Sequence, residues 1–170
     1  MEGRVFDELI LEVVAICLIG GIILSWISWR LIRWIAGKLY FHWRSRRSGV
    51  LFRDVDGLIE EVRWGCFRIM GKELHKDIRC VVRDPSPWTD RRGHVLDEEM
   101  ITGVWDQAID ILVIGVGIDG AVQCPKEVQN RVRERGIREI VIAPTVEACR
   151  IFNGYIRSGK RAALLAHGTC

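Results

Sequence analysis

Val13 to Trp29 is a run of 17 residues without a charge, VVAICLIGGIILSWISW. At about 1.5 Å per residue, a helix of that run is about 25 Å long. That is close to a hydrocarbon core of about 30 Å. Starting at Leu9 makes it 21 residues, with Glu12 near enough to the end to reach headgroups. Helices of soluble proteins ordinarily show a polar face, and this run has none. The expectation is therefore one transmembrane α-helix. The leader MEGRVFDE is acidic and no A-x-A site follows the apolar run, so neither a cleaved signal peptide nor a transit peptide is expected.

The charges divide at the same place. The first 48 residues hold seven basic and four acidic side chains, and the other 122 hold 18 of each. The whole formal charge of +3 thus lies in the anchor segment. A neutral remainder excludes a nucleic-acid binder held by a bulk positive field. One Arg and four acids precede the span; seven basic residues and no acid lie from Arg30 to Arg53. The positive-inside rule then puts the N-terminus outside and the C-terminal domain in the cytoplasm. Trp26, Trp29, Trp34 and Trp43, with Arg30, Arg33, Lys38, Arg44, Arg46 and Arg47, suit a membrane interface facing the lipid bilayer. Residues 30–47 are expected to continue as a helix along the headgroups.

Three segments follow from this division. They are an anchor with a basic juxtamembrane helix (1–48), a charged connector with room for a short helix or strand (49–63) and an α/β domain (64–170). Trp64–Met70 and Leu74–Val82 read as a hairpin around Gly71-Lys72. Asp84–Gly93, with Pro85 and Pro87, reads as a loop. Asp97 opens a helix to Gln107. Ile109–Ile114 is a buried strand, and Pro125–Arg135 is a helix closed by Gly136. Glu139–Ala143 is a strand, Thr145 caps a helix to Arg157, and Lys160–His167 is the last strand. Strands alternating with helices predict a compact α/β fold, a mixed sheet in a three-layer arrangement.

Gly115, Gly117 and Gly120 form G-x-G-x-x-G directly after a strand, the spacing of a dinucleotide loop. The helix begins only at Pro125, and Ala143-Pro144 stands where an acid for a ribose is needed. A tight strand exit that needs positive φ is the favoured reading. The six cysteines, Cys17, Cys66, Cys80, Cys124, Cys149 and Cys170, include no C-x-x-C pair and no zinc spacing with a histidine. No metal and no cofactor are therefore expected. Arg92 and His94 lie in the Pro-rich loop, and His167, Thr169 and Cys170 lie past the last strand. A Cys/His nucleophilic pair can arise from these residues only if the fold brings them together.

Several motifs occur in order over about 107 residues. They are Gly93-His94, Ile109–Gly120, PKEVQNRVRERGI from Pro125, PTVEACRIFNGYIRSGKR from Pro144 and ALLAHGTC from Ala163. On these motifs residues 64–170 resemble the Mth-like domain family. The resemblance implies a compact mixed α/β domain and no established reaction. It includes mitochondrial proteins that look like assembly factors for a membrane-facing respiratory arm. The expected function is a non-enzymatic interaction or assembly module, anchored at the membrane beside a membrane-protein partner. The other reading is a small-ligand-binding protein or enzyme. It would use the Gly115–Gly120 loop with Arg92, His94 and His167–Cys170.

Overall fold

The computed structural model describes residues 28–35, 49–105 and 107–170. Residues 28–35 are helical (α1) and carry exposed Trp29, Leu31, Ile32, Trp34 and Ile35. The Arg33 guanidinium lies over the Trp29 ring at 4.7 Å. No helix among the described residues is long and apolar enough to cross a membrane. The expected span lies outside the described residues except for its last two positions. So do interface candidates Trp26, Lys38, Trp43, Arg44, Arg46 and Arg47.

The remaining elements belong to the unit Ser45–Cys170. In chain order they begin with six strands: β1 (Phe52–Arg53), β2 (Ile59–Arg63), β3 (Cys66–Ile69), β4 (Lys72–His75), β5 (Asp77–Val81) and β6 (Asp84–Pro87). A 3₁₀ helix (Glu99–Val104) follows, then β7 (Ile111–Gly115), α2 (Lys126–Glu134), β8 (Glu139–Ala143), α3 (Thr145–Arg157) and β9 (Ala162–His167). The first four strands form an antiparallel meander. The other five form a mixed sheet in the order β6-β5-β9-β7-β8, parallel across β9, β7 and β8 and antiparallel at β5 and β6.

Burial explains the layering. β7 (ILVIG) and β9 (AALLAH) are buried at every position, as central strands covered on both faces must be. Alternate side chains of each strand enter different cores. Ile111, Val113, Ala162 and Leu164 join α3 residues Cys149 and Phe152 and meander residues Ile59 and Phe67. Leu112, Ile114, Ala163 and Leu165 join Val128 and Val132 of α2 with Ile101 and Val104 of the 3₁₀ helix. The mixed α/β fold therefore matches the expectation, and the meander adds a second sheet to the one mixed sheet expected.

Three local expectations do not hold, and the connector contains two short strands. These are β1 and β2, where Glu61 is buried beneath its partners Arg53 and Arg63. The expected second hairpin strand breaks at Lys76, whose φ of +72° sends β4 and β5 into different sheets. Asp84–Pro87 is a strand, because β6 is an edge where proline's missing N–H costs no ladder bond. The helix expected from Asp97 is only a short 3₁₀ turn, although the Asp97 carboxylate does accept the Met100 amide at 2.9 Å.

Candidate functional site

The parallel strands β7, β8 and β9 end together, and their exits diverge. β7 leads to α2 on one face of the sheet, and β8 leads to α3 on the other. Such a divergence opens a crevice where α/β sheets place ligands. Here residues 168–170 of the chain itself occupy it.

Two glycines make that possible. A Cβ on Gly117, at φ +104°, would lie 1.9 Å from the Cys170 carbonyl oxygen. A Cβ on Gly168 would lie 2.0 Å from the Lys76 carbonyl oxygen. At Gly117 the strand-exit loop therefore packs against protein backbone. Three of its amides are committed: Val116 donates to Ala143, Gly117 to the Thr145 hydroxyl at 3.0 Å and Ile118 to Thr169 at 3.1 Å. Thr145, expected as a helix cap, instead donates its buried hydroxyl to the His167 carbonyl at 2.6 Å. Pro144 stands at the cap position.

At this crevice the chain gathers a cluster. His167 ends β9, and its register partner on β5 is Asp77. The pair share a sheet face, so His167 Nδ1 meets Asp77 Oδ1 at 2.6 Å. Asp77 also accepts the Gly168 amide at 3.2 Å and Arg91 Nε at 2.6 Å. Burial pushes the Asp77 carboxyl up, but the hydrogen bonds from His167 and Arg91 outweigh it and hold the group below the usual carboxylate range. An ionised Asp77 can only accept a hydrogen bond, so Nδ1–H donates to it, and in the neutral imidazole the lone pair then lies on Nε2. That Nε2 lies 3.3 Å from Cys170 Sγ and 3.2 Å from the Thr169 hydroxyl.

His94 closes the far side. Its Nε2 is 3.5 Å from Cys170 Sγ, and its ring stands edge-on to His167 with centroids 5.9 Å apart. Backbone bonds hold it: Gln123 donates to the His94 carbonyl at 2.7 Å, and Leu96 donates to Gln123 at 2.9 Å. The loop after β7 thus carries His94 on one flank and receives Thr169 on the other. His167 is buried, Cys170 half-buried and His94 exposed, so the cluster opens to solvent on the His94 side.

Of the candidate residues, His94, Gly117, His167, Thr169 and Cys170 meet here. Gly115 lies beneath them against Thr145. Gly120 is exposed and supplies only its turn at φ +77°. Arg92 points elsewhere, paired with Glu99 and lining a surface depression with Thr89 and Asp90. Asp77 and Arg91 escaped the sequence reading. Their only signal is a β5–β9 register that pairs residues 90 positions apart.

Comparison with known proteins agrees with this architecture. The conserved hypothetical protein PH1505 from Pyrococcus horikoshii OT3 shares 28% identity at a TM-score of 0.60. The match covers 66% of this chain and 98% of that one. The protein MT938 is 23% identical at a TM-score of 0.56, over 67% of this chain and 99% of its own. A protein described as an outer membrane protein from Bartonella henselae has the same fold. It is 23% identical at a TM-score of 0.59, over 72% of this chain and 100% of its own. No curated protein matches the chain. The Mth-like fold implied by the motifs is thus the fold observed. With a family model matching residues 59–167, the chain belongs to the family described as protein of unknown function, DUF498/DUF598.

Proposed function

We propose that the protein works through a thiol–imidazole centre and binds a small ligand there. Cys170 is the reactive group, His167 its base and Asp77 the residue that positions the base. One observation carries this reading. His167 is held by Asp77 at 2.6 Å on one nitrogen and faces Cys170 Sγ at 3.3 Å with the other. A base oriented by a third group, within reach of a thiol, is the arrangement that activates cysteine nucleophiles. The thiol proton passes to His167 Nε2 and leaves a thiolate, the form that reacts.

Alkylation tests it. Iodoacetamide forms a C–S bond at the Cys170 thiolate and releases iodide. Mass spectrometry reads the tryptic peptide 162–170. Cys170 is expected to react at least tenfold faster than Cys66 at neutral pH. His167→Asn and Asp77→Asn should each remove most of that difference. Equal rates at both cysteines, or no effect of either substitution, would overturn the reading.

A second reading rests on α1, with its exposed Trp29, Leu31, Ile32 and Trp34 beside Arg30 and Arg33. That pattern suits a bilayer interface. It supports a domain tethered to the cytoplasmic face of a membrane, serving a membrane-protein partner as an assembly module.

A further inference from the structure

The thiol–imidazole reading does not use His94, although its Nε2 converges on the same sulfur. Three donors meet here: His94 Nε2, His167 Nε2 and Cys170 Sγ, all within 4.8 Å of one another. We infer that they bind a divalent transition metal, with zinc as the best fit. This deepens the proposed function by naming its ligand class, and it rests on Cys170 and His167 being the working groups of the site.

The geometry favours it. Zinc binds thiolate at about 2.3 Å and imidazole at about 2.0–2.1 Å, so a tetrahedral S···N edge is about 3.5 Å. The two edges here measure 3.3 and 3.5 Å. Two imidazoles and a thiolate select zinc or its neighbours over magnesium or calcium, which prefer oxygen donors. Asp77 on His167 Nδ1 is the outer carboxylate that orients a metal-bound histidine and leaves Nε2 free to ligate. Three protein ligands leave a fourth position open, as in catalytic zinc sites, where a small molecule or water can enter. It would face the exposed His94 side. The ligands lie 76 and three residues from Cys170, so no sequence spacing announces them.

A second group, Cys66, Glu73 and His75, also brings three donors together. It is built differently. Glu73 is paired with Arg63 and Arg68, and among the described residues no carboxylate is hydrogen-bonded to His75. It therefore serves as the control.

Cobalt(II) reports on the site, because thiolate ligation gives a charge-transfer band and tetrahedral geometry gives intense visible bands. The full chain in mild detergent is titrated with Co²⁺ and then displaced with Zn²⁺. Both bands are expected, and both should vanish in Cys170→Ser. His94→Ala, at an exposed position, should weaken binding by at least tenfold, and Asp77→Asn by about 10–100-fold. Cys66→Ser should change nothing. Zn²⁺ should also protect Cys170 from iodoacetamide. No thiolate band, or a band that survives Cys170→Ser, would overturn the metal site. Fast, His167-dependent alkylation that Zn²⁺ leaves unchanged would remove the metal and keep the thiol centre. Slow alkylation without metal would remove the thiol centre itself.

Discussion

Single atoms decide this site. Gly117 has no Cβ, and in that space runs the backbone of Thr169 and Cys170. Gly117→Ala is therefore expected to cost about 1–3 kcal/mol, because φ +104° is strained for any L side chain and the new methyl meets a carbonyl oxygen. Denaturant unfolding reads the stability change. The same variant should lower the alkylation rate of Cys170, since the residue loses its position opposite His167. An unchanged rate would mean that the loop does not seat the thiol. The glycines, His94, His167 and Cys170 are all visible as candidates in the sequence. Their convergence is not, because β5–β9 register places Asp77 against His167 and a backbone bond from Gln123 places His94, joining stretches far apart in the sequence.

Among the elements, α3 and the meander are joined by one polar clamp. Asn153 is buried in α3, accepts the Ile59 amide at 2.9 Å and donates to the Ile59 carbonyl at 2.9 Å. It behaves there as a neighbouring strand would. It also donates to Asp54 at 3.0 Å, and Arg157 donates to the same carboxylate at 2.7 Å. Asn153→Ala leaves the Ile59 groups buried without partners, so a loss of about 2–4 kcal/mol is expected from thermal or denaturant unfolding. The clamp also carries a pH signature. The hydrogen bond from Arg157 holds Asp54 below its ordinary value of 3.8, against the opposing effect of burial. A lowered folded value stabilises above the unfolded one and is lost as pH falls through the folded one. The stability gap between wild type and Asp54→Asn should stay level from neutrality to about pH 4 and close below it. A gap that is level throughout would mean that the carboxylate is not paired in solution. The elements with clear periodicity or caps, β7, α2, β8, α3 and β9, are legible in the sequence. β6 is not, because its prolines mark a break anywhere except at a sheet edge. β1 and β2 are legible only as a short element of either kind, because the charges among them mark a connector.

On the scale of the molecule, the sequence has two characters. Its net charge belongs to the first 48 residues and none of it to the domain. Residues 48–170 are therefore expected to fold alone, with one cooperative thermal transition and no detergent. The full chain should instead stay with membranes through carbonate extraction. Fractionation with circular dichroism tests both. A fragment that aggregates would show that the first segment covers part of the domain. A full chain released by carbonate would remove the anchor.

The order of the mixed sheet also bears on the speed of folding. Among the described strands β9 is the last in sequence and the middle one in its sheet, where it joins the β5–β6 hairpin to the β7–β8 pair. Neither half can recruit the other until β9 docks between them. The β5–β9 contact closes a loop of about 90 residues, and such distant pairings slow a folding reaction. The domain should therefore pass through its barrier as one late event. His167 lies on that last strand, so the thiol–imidazole centre is assembled in the same step that completes the sheet.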